Sequence, residues 1–258
     1  MQAFFATVYI IWLRDVKRFT REGTRILAML GQPLLYLLIM GQGLRSAFKM
    51  NIPGFDYLGF VYPGVIGMSV LFTAIFSSVS IIWDKQFGFL KEVLVAPVPR
   101  ASIAMGKALG GSTTACIQGA ILLILAPLAG VSLGLGQIIA LAGLMFTMAF
   151  AVASIGTLVA ARMETMEGFH LITNFLTLPM FLLSGAFFPL NTAPAWMQPL
   201  MRIDPVFYGV DALRNVIYAD SPVRPYVVAQ TVTVDVIILL AFSFVMIGLG
   251  MLSFSRTE

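Results

Sequence analysis

Three places in this chain hold residue types that can do chemistry, and the first is a lysine behind a glycine. Gly106-Lys107 has the ending of a phosphate-binding loop, in which backbone amides and a lysine cradle the phosphates of a nucleotide. That loop needs a glycine at position 101 and a serine or threonine after the lysine. The chain has Ala101 and Ala108 there, so it carries no phosphate cradle of this kind. The second place is the single histidine, His170, beside Glu167. A nucleophile such as Ser184 lies fourteen residues on, roughly 21 Å along a helix, whereas a serine–histidine pair needs hydrogen-bond contact. Companions for a metal site are also missing, which leaves His170 as a residue of the membrane–water interface. The third is Asp235, an acid about eight residues inside an apolar run, at a depth of roughly 12 Å. An ionised group there is costly unless it is paired or faces water. It suits either a relay for ion coupling or a polar residue packed against Thr231 or Gln118. A single such acid favours the structural role, because ion coupling usually draws on several.

The elements that position these groups are set by composition. Hydrophobic residues make up 59% of the 258 and charged residues only 11%, against roughly 25% charged in soluble domains. The mean hydropathy is +0.93. This is the composition of a polytopic, all-α integral membrane protein with one membrane domain, 1–258. The lone Cys116 lies in an apolar run and excludes a disulfide frame. A bilayer core of about 30 Å needs roughly 20 apolar helical residues. Six runs qualify: 26–44, 58–83, 103–129, 137–161, 169–188 and 227–254, the fifth closed by Pro189.

Basic residues give the direction. With the N-terminus inside, Arg14, Lys17, Arg18, Arg21, Arg25, Lys85, Lys91, Arg100, Lys107, Arg162 and Arg256 fall on the cytoplasmic side. Arg45, Lys49, Arg202, Arg214 and Arg224 fall outside. This positive-inside bias places both termini in the cytoplasm and accounts for the net charge of +4 without a nucleic-acid partner. Ahead of the first run, Phe4, Val8, Ile11, Trp12, Val16 and Phe19 recur at three- and four-residue intervals, with Arg14, Lys17, Arg18 and Arg21 opposite. That pattern reads as an interfacial helix over 1–25, in contact with membrane lipids.

Between the second and third runs lies Lys91-Glu92-Val93-Leu94-Val95-Ala96-Pro97-Val98-Pro99-Arg100. Phe87, Leu90 and Leu94 share a helical face, and Pro97 and Pro99 stop the helix. A short amphipathic helix held between two spans is either a docking surface for a soluble partner or a turn at the membrane surface.

Three segments resemble the permease subunits of ABC-2 type transporters, the group that includes daunorubicin-exporter-like bacterial export permeases. They are Phe60-Val61-Tyr62-Pro63-Gly64, Glu92 through Pro99, and Gly185-Ala186-Phe187-Phe188-Pro189 running on through Pro194, Trp196, Pro205, Tyr208 and Asp211 to Arg214. The resemblance covers essentially the whole chain. It implies an inner-membrane exporter subunit that pairs with a second permease copy, as a homodimer or heterodimer. It also implies two separate cassette ATPase subunits that carry ATP and Mg²⁺, this chain binding no cofactor itself. Carried onto this sequence, the coupling helix spans 87–96 within a cytoplasmic loop 84–101, with Glu92 as the chosen charged contact among Phe87, Leu90, Lys91, Val93, Leu94, Ala96 and Pro97.

The resemblance further implies that 189–226 folds back as external re-entrant helices. The residues support a helix there independently: Asp204-Pro205 is an N-cap followed by a first-turn proline. Val206, Val210, Leu213 and Ile217 then share one face, and Asp211 and Arg214 are spaced to pair. The alternative is a helix on the membrane surface. Phe188 and Trp196 are expected to be shielded in an external plug. Spans one and five, by the same resemblance, wall the route and the dimer contact, with Gln32, Tyr36, Asn174 and Phe175 as candidate lining for a drug, lipid or lipid-linked glycan. An ion-coupled secondary transporter or channel is the rival class.

Overall fold

The computed structural model describes residues 2–43, 55–87 and 99–255. The described chain is helical. It comprises α1 (Gln2–Arg21), α2 (Gly23–Gly43), α3 (Tyr57–Ser77), α4 (Val79–Gln86), α5 (Arg100–Leu123), α6 (Leu135–Arg162), α7 (Met166–Leu183), α8 (Gln198–Ile203), α9 (Pro205–Ile217), α10 (Arg224–Val227) and α11 (Val232–Ser255). Short 3-10 turns stand at Ala126–Ala129 and Leu190–Thr192.

Among the described residues, four helical stretches are long and apolar enough to cross a bilayer: Tyr57–Gln86, Leu135–Arg162, Met166–Leu183 and Arg224–Ser255. They correspond to the second, fourth, fifth and sixth apolar runs. The first and third runs also form helices of 21 and 24 residues, α2 and α5, but fall outside that set. For α5 the reason is physical. It is enclosed by α1, α3, α6 and α11, so it can carry Lys107, Thr114 and Gln118 on surfaces that meet protein rather than lipid.

The core is built around α6, which packs against α3, α5, α9 and α11. Helix α3 is buried along almost its whole length, as expected of a helix that is apolar on every side. Its continuation α4 follows after Ser78, whose backbone is nearly helical at φ −70° and ψ −11°.

Two expectations about the chain path change. The fifth run does not end at Pro189. Helix α7 stops at Leu183, and Gly185, at φ +71°, turns the chain four residues earlier than the proline. This left-handed conformation costs any residue with a Cβ, so the glycine is the breaker. The N-terminal helix, in turn, is more than a surface anchor. Val8, Ile11 and Phe19 are buried, and α1 runs alongside α5 in the same direction, Val8 and Ile11 against Gly106 and Asp15 against Gly110. A second apolar strip, Phe5, Tyr9 and Ile10, stays exposed.

Candidate functional site

Two of the three motif segments, Phe60–Gly64 and Gly185–Arg214, meet at the end of the bundle where α7 gives way to α8 and α9. Asp204 caps α9 as its sequence predicts, its side chain accepting a hydrogen bond from the Val206 amide at 3.0 Å. Pro205 follows at the first helical position. The expected apolar face is only part of what α9 buries. Pro205 through Asn215 are all buried, because the helix sits among α3, α6, α7 and α11. A helix lying on a surface would leave one side open.

Arg214 stands at the centre of this region, 2% exposed. Its Nη2 donates to the Gly185 carbonyl at 2.9 Å and its Nη1 to the Val227 carbonyl at 3.5 Å. The guanidinium lies over the Phe60 ring, 4.1 Å from the centroid. Asp211 does not pair with it, contrary to the spacing argument. Its carboxylate accepts from the amides of Ala229, at 2.9 and 3.1 Å, and Gln230, at 2.8 Å. Backbone groups in the connection between α10 and α11 would otherwise be orphaned, and the acid satisfies them. Burial pushes the Arg214 guanidinium down to about 10, opposed by Asp211, so it stays charged near neutrality. Burial pushes Asp211 up, against the pull of the two amides and Arg214. Asp204 is likewise raised by burial, opposed by its capping bond.

A second family segment, Phe60–Gly64, locks into the same place. A Cβ at Gly64 would stand 2.6 Å from the Ala186 Cα, so only glycine lets α3 and the Gly185 turn approach this closely. Tyr57 Oη donates to the Phe187 carbonyl at 3.4 Å, and Tyr208 Oη to the Arg202 carbonyl at 2.6 Å. The motifs around Phe60–Gly64 and Gly185–Arg214, distant in sequence, form one packed unit. Trp196 stands apart from it at 70% exposed, while Phe188 is half-buried and Pro189 buried.

Of the candidate pathway residues, Tyr36 meets an aromatic cluster, 5.7 Å from Phe181 and 6.2 Å from Phe187 between ring centroids. Gln32, Asn174 and Phe175 are exposed on α2 and α7, Phe175 at 81%. Leu90, Lys91, Glu92, Val93, Leu94, Ala96 and Pro97 lie outside the described residues. Phe87, at the end of α4, is exposed and touches Trp83 edge-on. Just before it, Lys85 Nζ donates to the carbonyls of Ala160, Ala161 and Met163 at 3.0, 2.7 and 3.1 Å. A cation satisfying the last carbonyls of α6 is a favourable helix end, and it ties α4 to the next loop on that side.

His170 and Ser184 occupy opposite ends of α7 and do not meet; His170 is exposed against Phe76 and Phe169. Asp235 is fully buried. Among the described residues neither of its carboxylate oxygens meets a hydrogen-bond donor, and the buried Gln118 amide is in the same position.

A cluster that sequence reasoning missed joins α1, α4 and α5. Lys107 Nζ stands 3.1 Å from Asp15 and 2.7 Å from Asp84, and Arg14 binds both acids. Trp12 Nε1 donates to Thr113 Oγ1 at 2.9 Å beside it. Asp15, Ser80, Trp83 and Thr114 line an adjoining cavity of ≈ 250 Å³. The signal was present: a lysine within an apolar run requires a partner, and Asp15 and Asp84 are acids on the same predicted side.

These features define a multi-pass helical membrane protein in which the Phe60–Gly64 and Gly185–Arg214 segments are packed into one another. The chain belongs to the ABC-2 type transporter family, whose model matches residues 6–218. It is 28% identical over 251 residues to the inner membrane transport permease YadH of Escherichia coli K12, covering 94% of this chain and 93% of that one. It is 26% identical over 214 residues to a putative transport permease, ycf38, of Cyanophora paradoxa, covering 82% and 74%. Nodulation protein J of Rhizobium leguminosarum bv. viciae matches at 26% over 207 residues, 79% of each chain. The relatives are thus named chiefly as transport permeases.

Proposed function

We propose that this chain is the permease half of an ATP-binding cassette exporter in the inner membrane. It crosses six times with both ends in the cytoplasm, α2 and α5 completing the four strongly apolar spans. The observation that carries the reading is the family match across residues 6–218. ATP and Mg²⁺ are bound by two separate cassette ATPases, and the 87–96 segment is their contact, Glu92 its central charge. Nucleotide binding closes the ATPases and pushes this segment; the spans then open the route outward. The buried α9, too short to cross and enclosed by α3, α6 and α11, suits a re-entrant element with Gly185–Arg214 as the outer gate.

A second copy of the chain docks on the apolar faces left open by α2 and α7, where Leu35, Leu38, Ile39, Leu171, Phe175 and Leu178 are all more than half exposed. Such faces suit lipid or a partner permease. Gln32, Tyr36, Asn174 and Phe175 lie on the same two helices and line the route. The cargo is a hydrophobic drug, a lipid or a lipid-linked glycan. Co-purification of the tagged chain from its native membrane tests the reading: a cassette ATPase should come with it. An ion-coupled transporter or channel is favoured by Asp235, which is buried and has no hydrogen-bond partner among the described residues, and would purify without one.

A further inference from the structure

The charged cluster at α1, α4 and α5 has no place in the function proposed so far. Lys107 is 4% exposed, yet three polar groups from two other helices converge on its Nζ: Asp15 of α1, and Asp84 and Ser80 of α4, the last at 2.9 Å. Arg14 joins the same two acids, so among the described residues two cations and two anions meet here. A buried ion pair adds little when compared with an apolar replacement, but removing one member leaves an uncompensated charge and is strongly unfavourable. The cluster therefore fixes one relative placement of three helices. Ile11 and Asp15 seated against Gly106 and Gly110, with no Cβ between, hold α1 to α5 along the same line.

The position of the cluster gives it a consequence. Helix α4 ends at Gln86 and α5 begins at Arg100, so they are the two helices on either side of the 87–96 segment. We propose that Arg14, Asp15, Asp84 and Lys107 are positioning residues: a four-charge clamp that makes the N-terminal helix move as one body with the helices leaving and entering the coupling segment. Through the clamp, a push on 87–96 reaches the amphipathic α1 and the inner leaflet it touches. Without it α1 keeps only its close packing on α5 and can slip when α4 moves. The inference rests on the proposed ATPase contact.

The test uses the intact permease–ATPase complex with Cys116→Ala. In the Lys107→Met protein that reaches the membrane and binds the ATPase, transport per ATP hydrolysed should fall on the order of tenfold. Lys107→Arg should restore it. Spin labels at Ile10 and Gln86 should report one narrow distance in the nucleotide-free and ATP-trapped complexes, broadened by Lys107→Met. Should Lys107→Met fail to reach the membrane, Asp15→Asn, which keeps shape and removes one charge, is expected to give the same loss. Normal transport per ATP in either variant, or a wild-type distance that changes with nucleotide, overturns the clamp. Failure of the ATPase-contact reading is distinguishable: Glu92→Ala with Leu94→Asp would then keep normal stimulation, while the broadening in Lys107→Met would still be measurable in the permease alone.

Discussion

Replacing Arg214 with alanine probes the packing of the outer motif most sharply. The side chain makes a charged hydrogen bond to the Gly185 carbonyl at 2.9 Å, worth about 1.5–3 kcal/mol. Its seat over Phe60 at 4.1 Å is a desolvated cation–π contact worth about 2 kcal/mol. Arg214→Ala removes both, orphans the carbonyl and opens a void, so a loss of about 4 kcal/mol is expected. Spread over a chain of this size, at about 2–4 °C per kcal/mol, the melting temperature should drop by about 10 °C. The assay is thermal unfolding of the purified chain in detergent. Pairing Arg214→Met with Phe60→Leu in a double-mutant cycle isolates the ring contact, with an expected coupling energy of about 1–2 kcal/mol. A melting temperature unchanged in Arg214→Ala, or a cycle that closes at zero, refutes the argument that the guanidinium joins α3, the Gly185 turn and α9.

Three further outcomes are expected. Glu92→Ala combined with Leu94→Asp should abolish cargo-stimulated ATP hydrolysis at normal membrane abundance; intact stimulation would remove 87–96 from the ATPase contact. Of single cysteines placed at the two termini, Glu92, Ser132 and Gln198 in a Cys116→Ala background, only those at Ser132 and Gln198 should react with an impermeant reagent from outside, and outside labelling at Glu92 would overturn the topology. A cysteine at Phe188 should label slowly at rest and faster once the partner ATPase is trapped with ATP, whereas the exposed Trp196 should label quickly throughout. Fast labelling at Phe188 in every state would reduce the gate to an exposed loop.

What the sequence disclosed is mostly local. Apolar runs long enough to span appear as four apolar helical stretches, and Asp204-Pro205 marks the start of α9 to the residue, because capping and hydropathy act over a few neighbours. The misses are long-range or conformational. Pro189 looked like the end of the fifth run, but Gly185 turns the chain first, and nothing in a glycine's identity announces a positive φ. Asp211 and Arg214 have the spacing of an ion pair, yet each is claimed by backbone groups: the first by Ala229 and Gln230, the second by Gly185 and Val227. Arg14 seemed part of a solvated basic face, while in the fold it reaches Asp84, seventy residues away. Gly64 stands after Pro63 in one of the three family segments. Its role lies in the approach of Ala186, a contact between segments that a periodic pattern cannot show.

As proposed, this chain moves cargo with energy supplied by a separate cassette ATPase. Reconstituting it with the co-purified ATPase in lipid vesicles, with the cargo the complex carries, and following cargo movement on addition of ATP and Mg²⁺ tests that claim directly. Movement should require ATP, survive Asp235→Asn and be lost in the Glu92→Ala, Leu94→Asp variant. Movement by the chain alone, driven by a proton or sodium gradient and lost in Asp235→Asn, would contradict it.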